Sequence, residues 1–370
     1  MYEKGVRVLF VAGGTAGHIV PAINIANRLR RRYPGSSIFF VGTESGMESI
    51  LVPRYFPFQA IKAYPFRGGI GRLTNFLVRF PGSVLESIKV IKGLVPDVVV
   101  GTGGYVSAPV IVAAKLLGIP TLIQVQNVTP GLASRFLSFF ADEIAVAFPA
   151  TRKKFFWRSP RKVILTGNPV NVAPPERIRE DIINEMNLHK DFFTILVTGG
   201  SQGSRSINNV VLSMVKGKYL PDGMQLIWQT GRASYDDISK EIELFTIPVY
   251  LTPFIERMNE AYAISSLIVC RAGALTLSEV AAWGLPSIVI PYRGAGRHQA
   301  KNAKYFAKVG ASVVIKENEL SAGTLSREII KIYHNEQKRV SMIRAARRIA
   351  RENGTDIIVD RIIELVFKRR

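Results

Sequence analysis

The sequence predicts an α/β protein built from two doubly wound parallel sheets that follow one another along the chain. Three observations carry this. Short, nearly continuous apolar runs alternate with helical stretches, the pattern of strands buried on both faces. Three glycine turns stand at the ends of such runs, where the ligands of doubly wound sheets bind. The alternation pauses near Gly167-Asn-Pro169, gives way to a polar, charged stretch through Lys190, and then restarts.

In order, Val6–Ala12 reads as a buried strand, followed by the turn Gly13-Gly-Thr-Ala-Gly-His18. A helix is expected from about Pro21 to Arg32, with proline in its first turn. Ser37–Val41 and Asp97–Gly101 read as strands, the second running into Gly103-Gly-Tyr-Val-Ser107 and an apolar helix to Leu117. Gly118-Ile-Pro120 breaks that helix before the strand Thr121–Val125. The second half repeats the scheme: strand Phe193–Thr198, turn Gly199-Gly-Ser-Gln-Gly203, and a helix from about Ser206. Strands follow at Gln225–Gln229, Val249–Leu251, Leu267–Val269 and Ser287–Ile290. Ser341–Arg370 is expected to be helical and strongly basic. The domains expected are 1–168, 169–345 and a basic helix over 346–370, with the first two facing one cleft.

Length and composition agree with two domains: 370 residues, 47% hydrophobic, can bury two sizeable cores. One cysteine, Cys270, excludes an intramolecular disulfide and fits a reducing compartment. No run reaches the ~18 apolar residues of a membrane span, and Val6 enters a strand with no cleavable leader before it, so a cytosolic protein is expected. The net charge of +21 is uneven, with 21 Lys/Arg against 7 Asp/Glu in residues 1–168 and 28 against 21 thereafter. Such an excess calls for an anionic partner: nucleic acid, anionic lipid or a phosphorylated substrate.

The run Cys270-Arg-Ala-Gly-Ala-Leu-Thr-Leu-Ser-Glu279 joins a buried strand to a helix that stops at Gly284. A strand, a turn of small residues and a helix opening with Thr276 and Ser278 make a phosphate site, because free N–H groups and the helix dipole face whatever lies above. Glu279, expected in the first turn, suits either a pair of vicinal hydroxyls such as a ribose diol or simple complementation of the dipole. His18, at a helix start, suits a general base or a cap on its own turn. Arg271 either assists a phosphate or lies outward on the strand end. No Gly-x-Gly-x-x-Gly and no Gly-x4-Gly-Lys-Ser/Thr occurs, which disfavours nicotinamide, flavin and P-loop chemistry.

Five motifs in register are similar to those of the peptidoglycan N-acetylglucosaminyltransferase family. They are Gly13-Gly-Thr-Ala-Gly-His18, Gly103-Gly-Tyr-Val-Ser107, Gly199-Gly-Ser-Gln-Gly203, Cys270–Glu279 and His298-Gln299-x-x-Asn302-Ala303. The resemblance covers nearly the whole chain and implies the GT-B fold. It also implies inverting transfer of N-acetylglucosamine from UDP-GlcNAc to the C4 hydroxyl of the muramoyl sugar of a lipid-linked acceptor, lipid I. No metal or other cofactor is implied, and the sequence contains no Asp-x-Asp.

Carried over, the resemblance places Ser201 at the diphosphate, the backbone of Ile255 at the uracil, and Ala274, Leu275, Thr276, Leu277 and Ser278 along the phosphate and sugar. Glu279 would take the ribose hydroxyls and Gln299 those of the sugar. Thr15, Ala16 and Gly17 would close over the reacting sugar, with Asn127 touching it. The chain departs from the family at Val125, where an acid is usual, and at Asn171, where an arginine is usual beside the donor. Ala16 replaces a commoner glycine, which requires a negative φ.

Two stretches, Arg67–Phe80 (with Arg72 and Arg79) and Thr151–Lys162 (with Arg152, Lys153 and Lys154), mix apolar and basic residues. Such surfaces dock on anionic bilayers, which implies a peripheral protein at the cytoplasmic face of the membrane. The alternative is core residues beside solvated charges. Two further functions stand beside the main one: a related transferase with another lipid acceptor, and a basic nucleic-acid-binding protein. The second lacks a recognisable reader motif, so no nucleic-acid partner is expected.

Overall fold

The computed structural model describes residues 5–64, 70–294 and 298–368. Arg67 and the side chain of Arg72 lie outside the described residues. The chain divides into two compact units, Met1–Asn171 with Arg351–Arg370, and Val172–Ala350.

Unit 1 runs β1 (Arg7–Ala12), α1 (Ala16–Arg32), β2 (Ser37–Gly42), α2 (Glu48–Leu51), β3 (Phe58–Ala60), α3 (Ile70–Leu94) and β4 (Val98–Gly103). It continues with α4 (Ser107–Leu116), β5 (Thr121–Val125), α5 (Leu132–Leu137), β6 (Glu143–Val146), α6 (Pro149–Arg152) and β7 (Val163–Leu165). The seven strands pair in the order β3-β2-β1-β4-β5-β6-β7, all parallel. Val8 and Phe10 of β1 pack with α1 on one face, while Leu9 and Val11 pack with Val110 and Ile111 of α4 on the other. Apolar residues at consecutive positions are what a sheet covered on both sides needs.

Unit 2 runs α7 (Arg179–Glu185), β8 (Phe193–Thr198), α8 (Arg205–Lys216), β9 (Met224–Gln229), α9 (Arg232–Ser239), β10 (Val249–Thr252) and α10 (Met258–Ile264). Then come β11 (Leu267–Cys270), α11 (Ala274–Trp283), β12 (Ser287–Val289), α12 (His298–Lys308), β13 (Ser312–Val314), α13 (Ala322–Tyr333) and α14 (Glu336–Ile349). Its six strands lie parallel in the order β10-β9-β8-β11-β12-β13.

Three expectations change. First, α1 starts at Ala16, not near Pro21. Thr15 is extended and acts as N-cap, and Pro21 is tolerated inside because the carbonyl it cannot serve, that of Gly17, belongs to an exposed residue. Second, α11 starts at Ala274 behind an extended Gly273, which moves Glu279 from the first turn into the second. Its end at Gly284, in the left-handed conformation with φ +66°, is as the sequence suggests. Third, the C-terminal stretch is two helices. After α14 the chain breaks at 350–353 and forms α15 (Gly354–Phe367). The basic charge sits on α14 and at the chain end Lys368-Arg-Arg370, whereas α15 carries Asp356, Asp360 and Glu364 against Arg361. Its Ile358, Val359, Ile362, Ile363 and Val366 are buried against α1 in the core of unit 1. Arg28 and Arg32 of α1 pair with Asp356, and Arg361 pairs with buried Glu143.

Candidate active site

In unit 2, β8 and β11 are neighbours, and each ends in a glycine turn that opens a helix. The first turn is held from beneath by neutral groups. Gly200 N–H donates to Thr198 Oγ1 at 3.1 Å, and Gln229 Nε2 donates to the Gly200 carbonyl at 2.9 Å. Gly203, at φ +73°, passes so close to Thr230 that a Cβ there would lie 2.0 Å from its carbonyl oxygen. The Ser204 side chain caps α8 by accepting from Ile207 N–H. Ser201 is exposed at the tip. At the second turn Ala274 is buried, while Leu275 and Thr276 are half-buried over the α11 N-terminus. Two helix N-termini on adjacent strands give this end of the sheet a field suited to an anion.

Buried Gln229 also accepts from Ile255 N–H at 2.9 Å, tying the Phe254–Ile255 loop to the glycine turn. That bond commits the N–H and leaves the Ile255 carbonyl as the backbone atom for a ligand donor. Leu277 belongs to the core beneath the site, fully buried with its N–H donated to the Gly273 carbonyl. Ser278 Oγ donates to the Ala274 carbonyl at 2.9 Å.

Glu279 is half-buried and accepts from the Tyr262 hydroxyl at 3.0 Å. Loss of hydration pushes its carboxyl up to about 7, against the pull of that hydrogen bond. The same pocket raises the Tyr262 hydroxyl well above its ordinary value, by burial and then by the Glu279 charge. The buried Cys270 thiol goes up to about 12 for those same two reasons. Cys270 is therefore an inert core residue.

Arg271 does not lie outward on the strand end. It turns inward, 8% exposed, and donates to Ser204 Oγ (2.7 Å), Ser206 Oγ (2.7 Å), the Ile290 carbonyl (3.2 Å) and Glu317 Oε1 (2.5 Å). Burial alone would raise the Glu317 carboxyl, but Arg271, Ser206 and the Arg293 N–H outweigh it and hold it below its ordinary value. This pair forms the floor of a pocket of about 440 Å³ whose rim includes Gly199, Tyr292 and Gln299. Gln299 Oε1 accepts from Tyr292 N–H at 2.9 Å, so its amide nitrogen is the end left to donate.

In unit 1 the turn after β1 leaves Gly14, Thr15 and Gly17 exposed, Ala16 and His18 half-buried. Ala16 is the first helical residue and is not among the positive-φ positions, so its Cβ is accommodated. His18 Nδ1 lies 3.2 Å from the Thr102 carbonyl, which also accepts from buried Gln126 Nε2. A carbonyl only accepts, so Nδ1 carries a proton, and in the neutral ring Nε2 is then the lone-pair nitrogen. Thr102 Oγ1 donates back to the His18 carbonyl at 2.7 Å. The ring fits beneath Gly103, at φ +117°, where a Cβ would stand 2.5 Å from Nδ1. Asn127 is half-buried after β5 with its carbonyl accepting from Thr151 Oγ1, and Asn171 is exposed at the end of the unit. Val125 faces the apolar layer with Val11, Ile123 and Val146, so an acid there would bury its carboxylate among aliphatics.

The same unit exposes Leu132 (71%), Phe139 (62%) and Phe156 (84%). Phe139 stacks on Trp157, and Phe136 meets Phe80 edge-on. Arg79, Arg152, Lys153 and Lys154 are exposed beside these residues in sequence. No helix among the described residues is long and apolar enough to cross a membrane.

Sequence reasoning missed Gln229, Gln126 and the buried carboxylate Glu48, which accepts from Gly14 N–H at 3.0 Å. The signal for Glu48 was present as Gly42-Thr-Glu-Ser-Gly-Met-Glu48, glycines spaced around an acid at a strand end.

Two parallel-sheet units, each opening with a strand, a glycine turn and a helix, have the architecture of the GT-B class. Residues 8–146 match the glycosyltransferase family 28 N-terminal domain, and 194–359 match the family 28 C-terminal domain. The chain is 39% identical to the UDP-N-acetylglucosamine–N-acetylmuramyl-(pentapeptide) pyrophosphoryl-undecaprenol N-acetylglucosamine transferase of Acetivibrio thermocellus, over 98% of this chain and 99% of that protein. It is 38% identical to the protein of that name in Chlorobium phaeobacteroides, over 97% and 99%. The crystal structure of Acinetobacter baumannii MurG superposes with a TM-score of 0.77 at 28% identity, over 97% of this chain and 99% of that one. The chain belongs to the MurG family of hexosyltransferases.

Proposed function

We propose that this protein transfers N-acetylglucosamine from UDP-GlcNAc to the C4 hydroxyl of the muramoyl sugar of undecaprenyl-pyrophosphoryl-MurNAc-pentapeptide, with inversion. The observation that carries the reading is the pair of helix N-termini on adjacent β8 and β11, with Glu279 one turn beyond the second. Unit 2 holds the donor. The turn at Ser201 and the residues Ala274 to Thr276 take the diphosphate, the Ile255 carbonyl takes the uracil N–H, Glu279 accepts from the ribose hydroxyls, and the Gln299 amide donates to the sugar.

His18 Nε2 removes the proton from the acceptor hydroxyl as its oxygen attacks the anomeric carbon. The bond from that carbon to the β-phosphate oxygen breaks on the opposite side, and the electron pair leaves with UDP. Charge grows on the leaving diphosphate, where fixed N–H groups and helix dipoles stabilise it with no reorganisation. Thr15, Ala16, Gly17, Asn127 and Asn171 orient the sugars. The exposed aromatics and aliphatics of unit 1, with Arg79, Arg152, Lys153 and Lys154, support docking on an anionic bilayer, where the lipid-linked acceptor resides. Mass spectrometry of products from UDP-GlcNAc with lipid I, against a panel of other lipid-linked sugars and with EDTA present, tests the reading. The disaccharide lipid is expected from lipid I alone and undiminished by EDTA. Preference for another acceptor, or a loss restored by magnesium or manganese, overturns it.

A further inference from the structure

Glu48, the first residue of α2, is a fully buried carboxylate that the chemistry above does not use. Among the described residues, three donors meet it. Thr43 N–H (3.0 Å) and Thr43 Oγ1 (2.7 Å) donate to Oε1, and Gly14 N–H (3.0 Å) donates to Oε2. Three glycines, one in the turn after β1, one at the end of β2 and one in the β2–α2 connection, make its space. A Cβ on Gly13 would lie 2.7 Å from Oε1, one on Gly42 2.4 Å from the side-chain Cγ, and one on Gly46 2.2 Å from both oxygens. A buried charge is costly unless its hydrogen bonds are complete, and here both oxygens are served by donors. Only one bond goes to the glycine turn, and it lies two residues before α1 and four before His18. The turn is also wedged from the other side, since a Cβ on Gly104 would stand 2.3 Å from the Gly13 carbonyl oxygen.

We propose that Glu48 is a positioning residue for the reaction. It fixes the Gly14 N–H, and through it the Gly13–Gly17 turn and the start of α1 that presents His18. This rests on the reading of that turn and His18 as the acceptor side. Glutamine is nearly isosteric but cannot replace the carboxylate. Both oxygen positions face donors, so one must receive an NH₂ group, and holding two donors at Thr43 turns that group on Gly14 N–H. Glu48→Gln therefore displaces the turn.

The test compares Glu48→Gln with Thr43→Val, which removes one donor from the same carboxylate but leaves the Gly14 bond. Glu48→Gln is expected to lower kcat by ~10- to 100-fold, the effect of displacing a reacting group by about an ångström. UDP affinity should stay within about twofold, because binding by unit 2 does not use the turn. Thr43→Val should lower Tm comparably while kcat falls less than about threefold. The Gly14 amide proton resonance should move upfield in Glu48→Gln alone. Glu48→Asp, which keeps the charge but reaches one methylene short, should behave as Glu48→Gln does and serves if the latter does not fold. Equal kcat losses that track Tm in the two positions, or an unmoved Gly14 resonance, overturn the proposal. His18→Ala tests the base assignment separately: high residual activity there removes the base, while the Gly14 resonance still decides the role of Glu48.

Discussion

The glycine turns after β1 and β8 read alike, Gly13-Gly-Thr-Ala-Gly17 against Gly199-Gly-Ser-Gln-Gly203, yet they rest on opposite chemistry. Beneath the first lies the Glu48 carboxylate, buried and accepting from Gly14 N–H. Beneath the second lie a threonine hydroxyl and the Gln229 amide, with Arg271 turned toward the start of α8. A buried anion spends a turn N–H and repels a phosphate, whereas beside the second turn the Glu317 carboxylate is matched by Arg271 and leaves the helix dipole unopposed. On the proposed function, one motif serves an uncharged hydroxyl and an imidazole in unit 1, and a dianionic diphosphate in unit 2. Glycine spacing identifies a turn of this kind, and the residue under it decides which ligand it takes.

Changes in unit 1 should therefore strike the chemical step, and changes in unit 2 the grip on the donor. The largest effect is expected from His18→Ala, a fall in kcat of ~10²–10⁴ with donor KM little changed. Steady-state kinetics with saturating acceptor reads it, and retention of more than about a tenth of kcat would reduce His18 to a structural cap. Next comes Glu279→Ala, expected to weaken UDP binding by ~2–4 kcal/mol, the scale of lost charged hydrogen bonds. Unchanged affinity by calorimetry would remove Glu279 from the ribose.

Gln229→Glu breaks the comparison directly by placing an anion under the second turn. UDP affinity should fall by ~1–3 kcal/mol and that for uridine clearly less, because only the former carries the diphosphate. Equal losses would mean that the floor charge is irrelevant. Glu279 also carries a pH signature. Its folded carboxyl, at about 7, stands above the unfolded value, so the folded state binds the proton more tightly. Stability is then highest below the ordinary carboxylate range and falls as pH rises to about 7. Glu279→Gln should flatten that fall, gaining ~1–3 kcal/mol over wild type at pH 8 and little at pH 5, as followed by Tm. The smallest effect is reserved for Arg152, Lys153 and Lys154. Neutralising any one of them to alanine should reduce sedimentation with anionic vesicles severalfold, at ~1 kcal/mol per cation, and leave UDP binding unaltered. Loss of UDP affinity in that variant would tie the two units more tightly than this scheme allows.

What was legible in the sequence was whatever repeats locally. Val8 through Val11 announced a strand buried on both faces, and Gly284 marked the end of α11. The short strands β3, β6, β7 and β13 escaped, because three or four residues carry no period, whereas β12, equally short, was legible as an apolar run set between Pro286 and Pro291. Pro21 misled because its usual place in a first turn outweighed the possibility of an exposed carbonyl behind it. The hidden part of the site is the set of buried polar contacts. Glu48 meets Gly14 across 34 residues and Gln229 meets Ile255 across 26, and Arg271 meets Glu317 across 46. A hydrogen bond between distant residues leaves no local trace beyond glycines that make room for it.

The return of α15 to unit 1 sets an order of events during synthesis. Residues 172–350 form a continuous segment that can collapse as it leaves the ribosome. Unit 1 cannot finish so early. The apolar face of α1, with Ala22, Ile25, Ala26 and Leu29, waits for Ile358, Val359 and Ile362, which are translated after the whole of unit 2. The first unit made is the last completed, so its half-covered core is the part of the nascent chain most in need of a chaperone.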